Sequence, residues 1–304
     1  MITAAVVLLA LQFSTNRAFQ KRCGTAATAS LTFTAIGSVC SALVGVIVAY
    51  TMFDGLQFSV YSTIMAAILS VLCVAYTYIG FKIMAYGSMS LFTMFLMLGG
   101  MMLPFIYGVV FLNETLTPCR LIGLILLVVS MVFPVAAKEK QNKSENRSKK
   151  DLAVFVVLCT SVFMLNGFVS ITSKIHQINT EQKIVNSPSF SFMSAIIKLV
   201  LCGALLLIYE GSRKKKGEKS CFEGVKPSFI IGVSCVGALF SSVSYILQLI
   251  SASEVDAAML YPMITGGSTV LCALAGFIFF KEKPDKLSFV GLVLSFAATF
   301  LFLF

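Results

Sequence analysis

Apolar residues run almost without a break along this chain, in ten stretches parted by short polar segments. They lie near 2–16, 26–50, 58–81, 88–112, 117–137, 152–172, 189–209, 228–251, 255–280 and 286–304. A hydrocarbon core of roughly 30 Å takes about 20 apolar residues per helix, so each stretch reads as a membrane crossing. Five fall on either side of 138–151 (KEKQNKSENRSKKD), which is polar, mixes both charge signs and lacks apolar periodicity. That segment reads as a flexible cytoplasmic linker. An odd number of crossings per half makes the second half enter the membrane the other way up. The pattern therefore predicts an all-α integral membrane fold of ten transmembrane helices, arranged as two inverted five-helix repeats over 1–137 and 152–304. Many secondary transporters are built this way.

Composition supports the membrane reading. Hydrophobic residues make up 58% of the chain and charged ones 12%, against roughly 45–50% and 25% in soluble domains. A globular core needs a polar cover, yet Val39–Tyr50 and Leu121–Ala137 carry no charge at all. No basic residue precedes the first apolar run and no small-residue cleavage pattern follows it. It therefore reads as a helix of the fold and not as a secretory signal. Nine cysteines are scattered with no CxxC pair, which argues against a disulfide framework or a zinc site. Buried thiols are the expectation, with no metal and no cofactor.

The net charge of +10 is placed for lipid, not for nucleic acid. Six Lys and Arg lie in 138–150, six more in 213–226, three after helix 1 (Arg17, Lys21, Arg22), one after helix 3 (Lys82) and three in 281–286. All of these fall on one face of the membrane. The other face has Arg120, Lys174 and Lys183. The positive-inside rule then puts the basic face in the cytoplasm and both termini outside, with the basic runs against anionic lipid. The expected setting is the plasma (cytoplasmic) membrane. The expected partners are the bilayer and a small-molecule substrate, with no nucleic acid and a monomer as the working unit.

A shift of 168 residues lays 88–136 on 256–304 without a gap. Gly99 then meets Gly267, Gly108 meets Gly276, Glu114 meets Glu282 and Gly123 meets Gly291. The shared pattern is an apolar helix, Phe-x-x-Glu, a short turn and a second helix with Gly nine residues after the Glu. By position alone, Glu114 and Glu282 fix turns. Thr117-Pro118 and Asp285 mark the helix starts that follow, where a carboxylate complements the positive helix end and Thr or Asp serves as N-cap. A gate or an ion site is the second reading of these acids.

On these motifs the chain resembles the drug/metabolite transporter superfamily, in its ten-helix EamA-type branch. FLNETLTPCRLIGLILLVVS and FFKEKPDKLSFVGLVLSFAA are similar to that family's end-of-repeat signature. Asn16 and Lys21 (STNRAFQK) are similar to the ending of its first helix, and Lys174 (NGFVSITSK) stands as the counterpart in the second half. The resemblance implies that helices 3, 4, 8 and 9 surround a midplane site, with helices 1, 2, 6 and 7 rocking around it and helices 5 and 10 outside. It also implies cytoplasmic termini, opposite to the charge balance, and the charge balance decides the expectation here.

Within lipid, an ionisable residue inside a helix is a functional candidate. Every Asp and Glu of this sequence falls in a loop or at a helix end, whereas Lys198 falls near the middle of helix 7. Ser191, Ser194, Ala195, Leu201 and Cys202 share its face, a small and weakly polar stripe that suits the bundle interior. A structural lysine bonded to backbone carbonyls is the competing reading. Helix 8 has Ser241, Ser244, Tyr245, Gln248 and Ser251 at helical spacing, with Tyr76 and Thr77 in the matching part of helix 3. Helix 9 adds Tyr261 and Thr265, with Pro262 and Gly266-Gly267 able to loosen it. With Asn16, these are the candidate pathway residues, although Ser, Thr and Gly also serve close helix packing. Helix 4, rich in Met, reads as adaptable core, and His176 has no assigned role.

The leading reading is a secondary transporter, working as an exporter, for a small polar metabolite such as an amino acid or organic acid. No catalytic residue is assigned and no enzymatic activity is expected. A proton-coupled exporter of lipophilic cations is the alternative, weakened by the absence of an acid at any helix centre. A membrane enzyme ranks lower, since the single histidine and dispersed acids form no catalytic group. A membrane scaffold or sensor lacks the soluble domain that signalling would need.

Overall fold

The computed structural model describes residues 1–24, 26–86, 89–142, 149–216, 222, 224–280 and 286–302. They form ten helices: α1 (Ile2–Cys23), α2 (Ala27–Met52), α3 (Val60–Tyr86), α4 (Met89–Phe111), α5 (Pro118–Asn142), α6 (Lys149–Ile178), α7 (Ser187–Lys216), α8 (Pro227–Glu254), α9 (Ala257–Phe280) and α10 (Lys286–Leu301). All ten expected helices are present, and several outrun the apolar stretch that announced them. Arg17, Lys21 and Arg22 lie inside α1, and Arg213–Lys216 inside α7, not in loops as expected. Helix also covers both ends of the presumed linker, to Asn142 and from Lys149. The reason is shared: a helix satisfies its own backbone, so it continues past the hydrocarbon boundary until chain geometry stops it. Glu282, Asp285 and the middle of the linker, 143–148, lie outside the described residues.

By length and composition six helical segments among the described residues can cross a bilayer: Ile2–Cys23, Ala27–Met52, Val60–Gly80, Val157–Ile178, Ser187–Arg213 and Pro227–Glu254. Phe95–Phe111, Pro118–Ser130, Ala257–Cys272 and Phe289–Leu301 are shorter apolar helical stretches. The expectation of ten full crossings is thus met in six. Leu43, Ile47, Ile64, Val71, Val200 and Leu207 point away from the bundle, an apolar exterior that water would penalise and lipid accepts.

Packing follows a regular exchange. α2 packs on α7, α4 on α9 and α5 on α10; α1 on α8 is matched by α6 on α3, α1 on α9 by α6 on α4, and α2 on α8 by α7 on α3. Each pair maps to another, or to itself, when helix n is swapped with helix n+5. Two loops meet at one end of the bundle, where Gln57 N donates to Ser189 Oγ (2.9 Å) and Asn186 Nδ2 to Gly55 O (3.1 Å). The start of α1 reaches the same end, with Ser244 Oγ of α8 donating to Ala5 O at 2.8 Å. We refer to it as the Met1 end.

The two halves also approach across α2 and α8. Ser242 Oγ donates to Ser41 Oγ (2.7 Å), and the Cys40 and Cys235 sulfurs are 3.1 Å apart. A disulfide needs the sulfurs at about 2.05 Å, a small further approach. Copper–phenanthroline treatment of membranes is therefore expected to join the halves covalently. After cleavage at a protease site placed in the linker, non-reducing gels should retain a full-length band, lost in Cys40→Ser. Free halves in the wild type would mean that α2 and α8 do not meet at this register.

Candidate functional site

A polar stripe on α6 organises the interior. Asn166, Ser170, Ser173, Lys174 and Gln177 recur at helical spacing within α6. Asn166 Nδ2 donates to Leu96 O (2.6 Å) and Ser170 Oγ to Gly100 O (3.2 Å), both on α4. Tyr261 Oη of α9 donates to Ser170 O at 2.8 Å, and Ser173 Oγ lies 3.0 Å from Tyr245 Oη of α8. Polar groups turned to lipid would lack partners; turned inward, each finds one. Close contact between α4 and α6 depends on glycine. A Cβ at Gly99 would fall on Phe163 O, and one at Gly167 on the Leu103 side chain.

Lys198 lies on α7, half-buried. At about 1.5 Å per residue it sits roughly 16 Å from the start of that helix, close to mid-depth. Its neighbour Ile197 packs with Cys73 of α3 and Tyr245 of α8 against one buried cluster that includes Leu69, Met193 and Leu249. Tyr245 and Tyr261 are joined through the α6 stripe, by Ser173 Oγ and by the carbonyl of Ser170. Lys198 thus stands next to a seam shared by α3, α7 and α8, and the α6 stripe links that seam to Tyr261 of α9. Ser191, Ser194, Ala195 and Cys202 on its helix face are buried, so that face is turned inward.

The remaining candidates do other things. Ser244 is fully buried and spends its hydroxyl on Ala5 O, while Gln248 Nε2 donates to Ser244 Oγ (3.0 Å). Ser244 thereby binds α8 to α1, and Gln248 supports it from within α8. Thr77 Oγ1 donates to its own helix at Cys73 O (2.8 Å). Thr265 is buried, and its carbonyl accepts Ser268 and Thr269 hydroxyls. Ser241 is half-buried. Asn16 is half-buried on α1, and its Oδ1 is enclosed without a partner among the described residues. The Gly266-Gly267 pair does not loosen α9, which is continuous. Added Cβ atoms there would meet Thr299 Oγ1 at 2.7 Å and Val6 at 3.0 Å, so these glycines let neighbouring side chains pack close. Met97 and Met101 are core, as expected of helix 4.

A set of charges with no shared motif in the sequence meets at the Met1 end. Asn113 takes φ 54° and ends α4, the one positive-φ residue other than Gly among those described. The turn brings Glu114 N to Gly108 O at 3.1 Å and folds the carboxylate over Gly108, where a Cβ would strike it. So aimed, Glu114 Oε1 and Oε2 accept Ala257 N and Ala258 N, each at 2.7 Å. These are first-turn amides of α9, which lack partners within their own helix. The carboxylate therefore caps a helix of the other half, not α5, whose N-cap is Thr117 (Arg120 N to Thr117 Oγ1, 3.2 Å). Lys174, 4% exposed, donates to the α8 carbonyls of Ala252 (2.9 Å) and Val255 (2.7 Å). Arg120 Nη1 pairs with Asp256 Oδ2 at 3.2 Å. A cation thus sits at the negative end of α8 and an anion at the positive end of α9.

Extension of α6 to Ile178 also corrects His176, which is buried within the helix and not past it. Its Nε2 lies 2.8 Å from Ser62 Oγ and its Nδ1 3.1 Å from Gln177 Nε2, with its ring stacked on Phe190. It ties α6 to α3 and α7. The stripe from Asn166 to Gln177 was visible as a 3.6-residue period, but ending helix 6 at 172 cut it in two.

The model of the EamA-like transporter family matches residues 151–304. The chain belongs to the EamA-like transporter family. It is accordingly a multi-pass membrane protein of a transporter family. A crystal structure of another protein has the same fold, with a TM-score of 0.72 over 98% of this chain and 96% of that one at 12% identity. No curated protein sequence matches the chain.

Proposed function

We propose that this EamA-family member is a secondary transporter that exports a small polar metabolite bearing a carboxylate, an amino acid or organic acid, by alternating access. The observation that carries the reading is the placement of Lys198. One ammonium lies near mid-depth on a helix face whose Ser191, Ser194, Ala195 and Cys202 are buried, next to Ile197, which packs on the same cluster as Cys73 and Tyr245, and no carboxylate pairs with it among the described residues. A desolvated ammonium attracts an anion far more strongly than it would in water. The sequence has no GxxxxGK[ST] motif for ATP, which favours gradient-driven transport.

Two observations support an inverted repeat of 1–137 and 152–304 beneath this activity: the ungapped 168-residue match and the helix-pair exchange in the packing. The α5–α10 pair lies to one side of the bundle, while Tyr76, Tyr245 and Tyr261 belong to α3, α8 and α9. On the charge balance we orient the Met1 end outward, in the cytoplasmic membrane, and take the monomer as the working unit. A proton-coupled exporter of lipophilic cations needs a carboxylate available inside the membrane. Among the described residues Glu210, inside the last part of α7, is paired with Arg213, and both Glu114 oxygens are taken by amides.

Counterflow in liposomes tests the reading. Vesicles preloaded with unlabelled amino acids and organic acids should accumulate at least one of them as external tracer through the purified protein. Counterflow of tetraphenylphosphonium, with none for any carboxylate, would overturn it in favour of the cation exporter.

A further inference from the structure

Opposite charges from three elements of the fold converge on one short chain reversal. α8 ends at Glu254 and α9 begins at Ala257. Within that span, Glu114 from the α4–α5 loop holds the two leading amides of α9. Lys174 from α6 holds two carbonyls at the end of α8, and Arg120 from α5 holds Asp256. The carbonyl of Asp256 accepts Met259 N and Leu260 N, so the first four amides of α9 are all satisfied. We propose that the α8–α9 turn is the gate at the Met1 end of the transport pathway and that Glu114 and Lys174 are its latch. This inference rests on the alternating-access reading and names the residues that time it.

Placement, chemistry and room to move support the assignment. Tyr261 is one helical turn beyond Ala257, and Ser170 and Ser173 precede Lys174 on α6, so the latch sits directly over the Tyr245–Tyr261 part of the candidate pathway. The same α6 segment bonds the tyrosines and the turn, which couples pathway and gate through one rigid element. The N-terminal part of α9 abuts α4 at Gly108 and packs on α1 through Ile2, Val6 and Leu9. Release of the turn therefore frees α9 from both. A depression of ≈ 270 Å³ lined by Met1, Ile2, Thr3, Ser251, Glu254 and Val255 lies beside the turn. Ser251 Oγ is buried there without a partner among the described residues, a polar group left over in this arrangement and available to another.

A static brace would be served as well by apolar packing, because buried charges are costly to desolvate. Hydrogen-bonded charges instead hold firmly while paired and can be taken up by water once the turn lifts. The repeated Gly-x5-Glu spacing gains a physical meaning too. Gly108 makes the space that lets Glu114 fold back, and Gly276 and Glu282 keep that spacing in the second half.

Native Cys73, deep in the pathway, is the reporter. Full-length protein in sealed vesicles is exposed to a membrane-impermeant maleimide from the Met1 face or from the opposite face. Labelling of Cys73 is then quantified by peptide mass spectrometry. Glu114→Gln and Lys174→Met should each speed labelling from the Met1 face by roughly tenfold or more, the effect of losing a charge-assisted hydrogen bond, and slow it from the other. Acceleration from both faces alike means general loosening and overturns the latch, as does a rate unchanged from either face. A second arm covers variants that fold poorly: Glu114→Cys with Ala257→Cys, oxidised in a Cys40→Ser background so that Cys40 and Cys235 cannot join, should abolish Met1-face labelling until reduced. Labelling that persists through the lock also ends the proposal. None of these outcomes depends on which solute is carried, so a failed counterflow assay and a failed gate remain distinct.

Discussion

Lys198→Met is expected to abolish carboxylate counterflow while insertion and thermal stability stay at or above the wild-type level. A lysine at mid-depth costs roughly 2.5–3.5 kcal/mol on insertion scales, and methionine removes that cost while filling similar space. What it also removes is the attraction for an anion. For unit charges about 4 Å apart at an effective dielectric near 20 this is about 4 kcal/mol, or about a thousandfold in affinity. Lys198→Arg keeps the charge but brings a planar fork too large for a point-charge site, so partial activity is expected. The measurement is initial counterflow rate per folded transporter, with folding scored by gel filtration in detergent. A Met variant at the wild-type rate would remove Lys198 from the site and leave membership of the family untouched.

The second large effect falls on stability. Gly99→Ala is expected to lower the melting temperature sharply, and the repeat-related Gly267→Ala only slightly. At Gly99 the new methyl meets the Phe163 carbonyl, a backbone atom that cannot turn aside. α4 and α6 must separate, which stretches the Asn166–Leu96 and Ser170–Gly100 bonds along the same seam. Overpacking costs about 1–3 kcal/mol, occasionally more, and the lost hydrogen bonds add to it. At Gly267 the obstacle is the end of the Val6 side chain, at 3.0 Å, which can shift. Thermal melts of the two variants in one detergent compare them directly. Equal losses would mean that α4 and α6 are not in contact through Gly99.

The comparison of these two glycines shows where sequence reasoning stops. Both occupy the same place in the repeat, and the sequence treats them alike. Their neighbours differ because α4 lies against the α6 backbone while α9 lies against α1 side chains. By sequence Gly266-Gly267 reads as a loosening point for the same reason: a glycine pair in a helix signals flexibility or close approach equally, and only the neighbour decides.

The number of helices, their order, the apolar exterior and the interior placement of the Lys198 face followed from hydrophobic length and periodicity. Those properties are local, and lipid imposes them on each helix separately. Helix ends were less legible, since charged and polar residues can extend a helix as readily as end it; His176 was misplaced on that account. The partner of Glu114 was not legible at all. Its short distance to Thr117 suggested a cap on the following helix, whereas the left-handed Asn113 and the bare face of Gly108 turn it toward α9, across 143 residues of chain. Which helix end a carboxylate caps depends on which end the packed bundle brings within reach, and that is a property of the assembled tertiary structure alone.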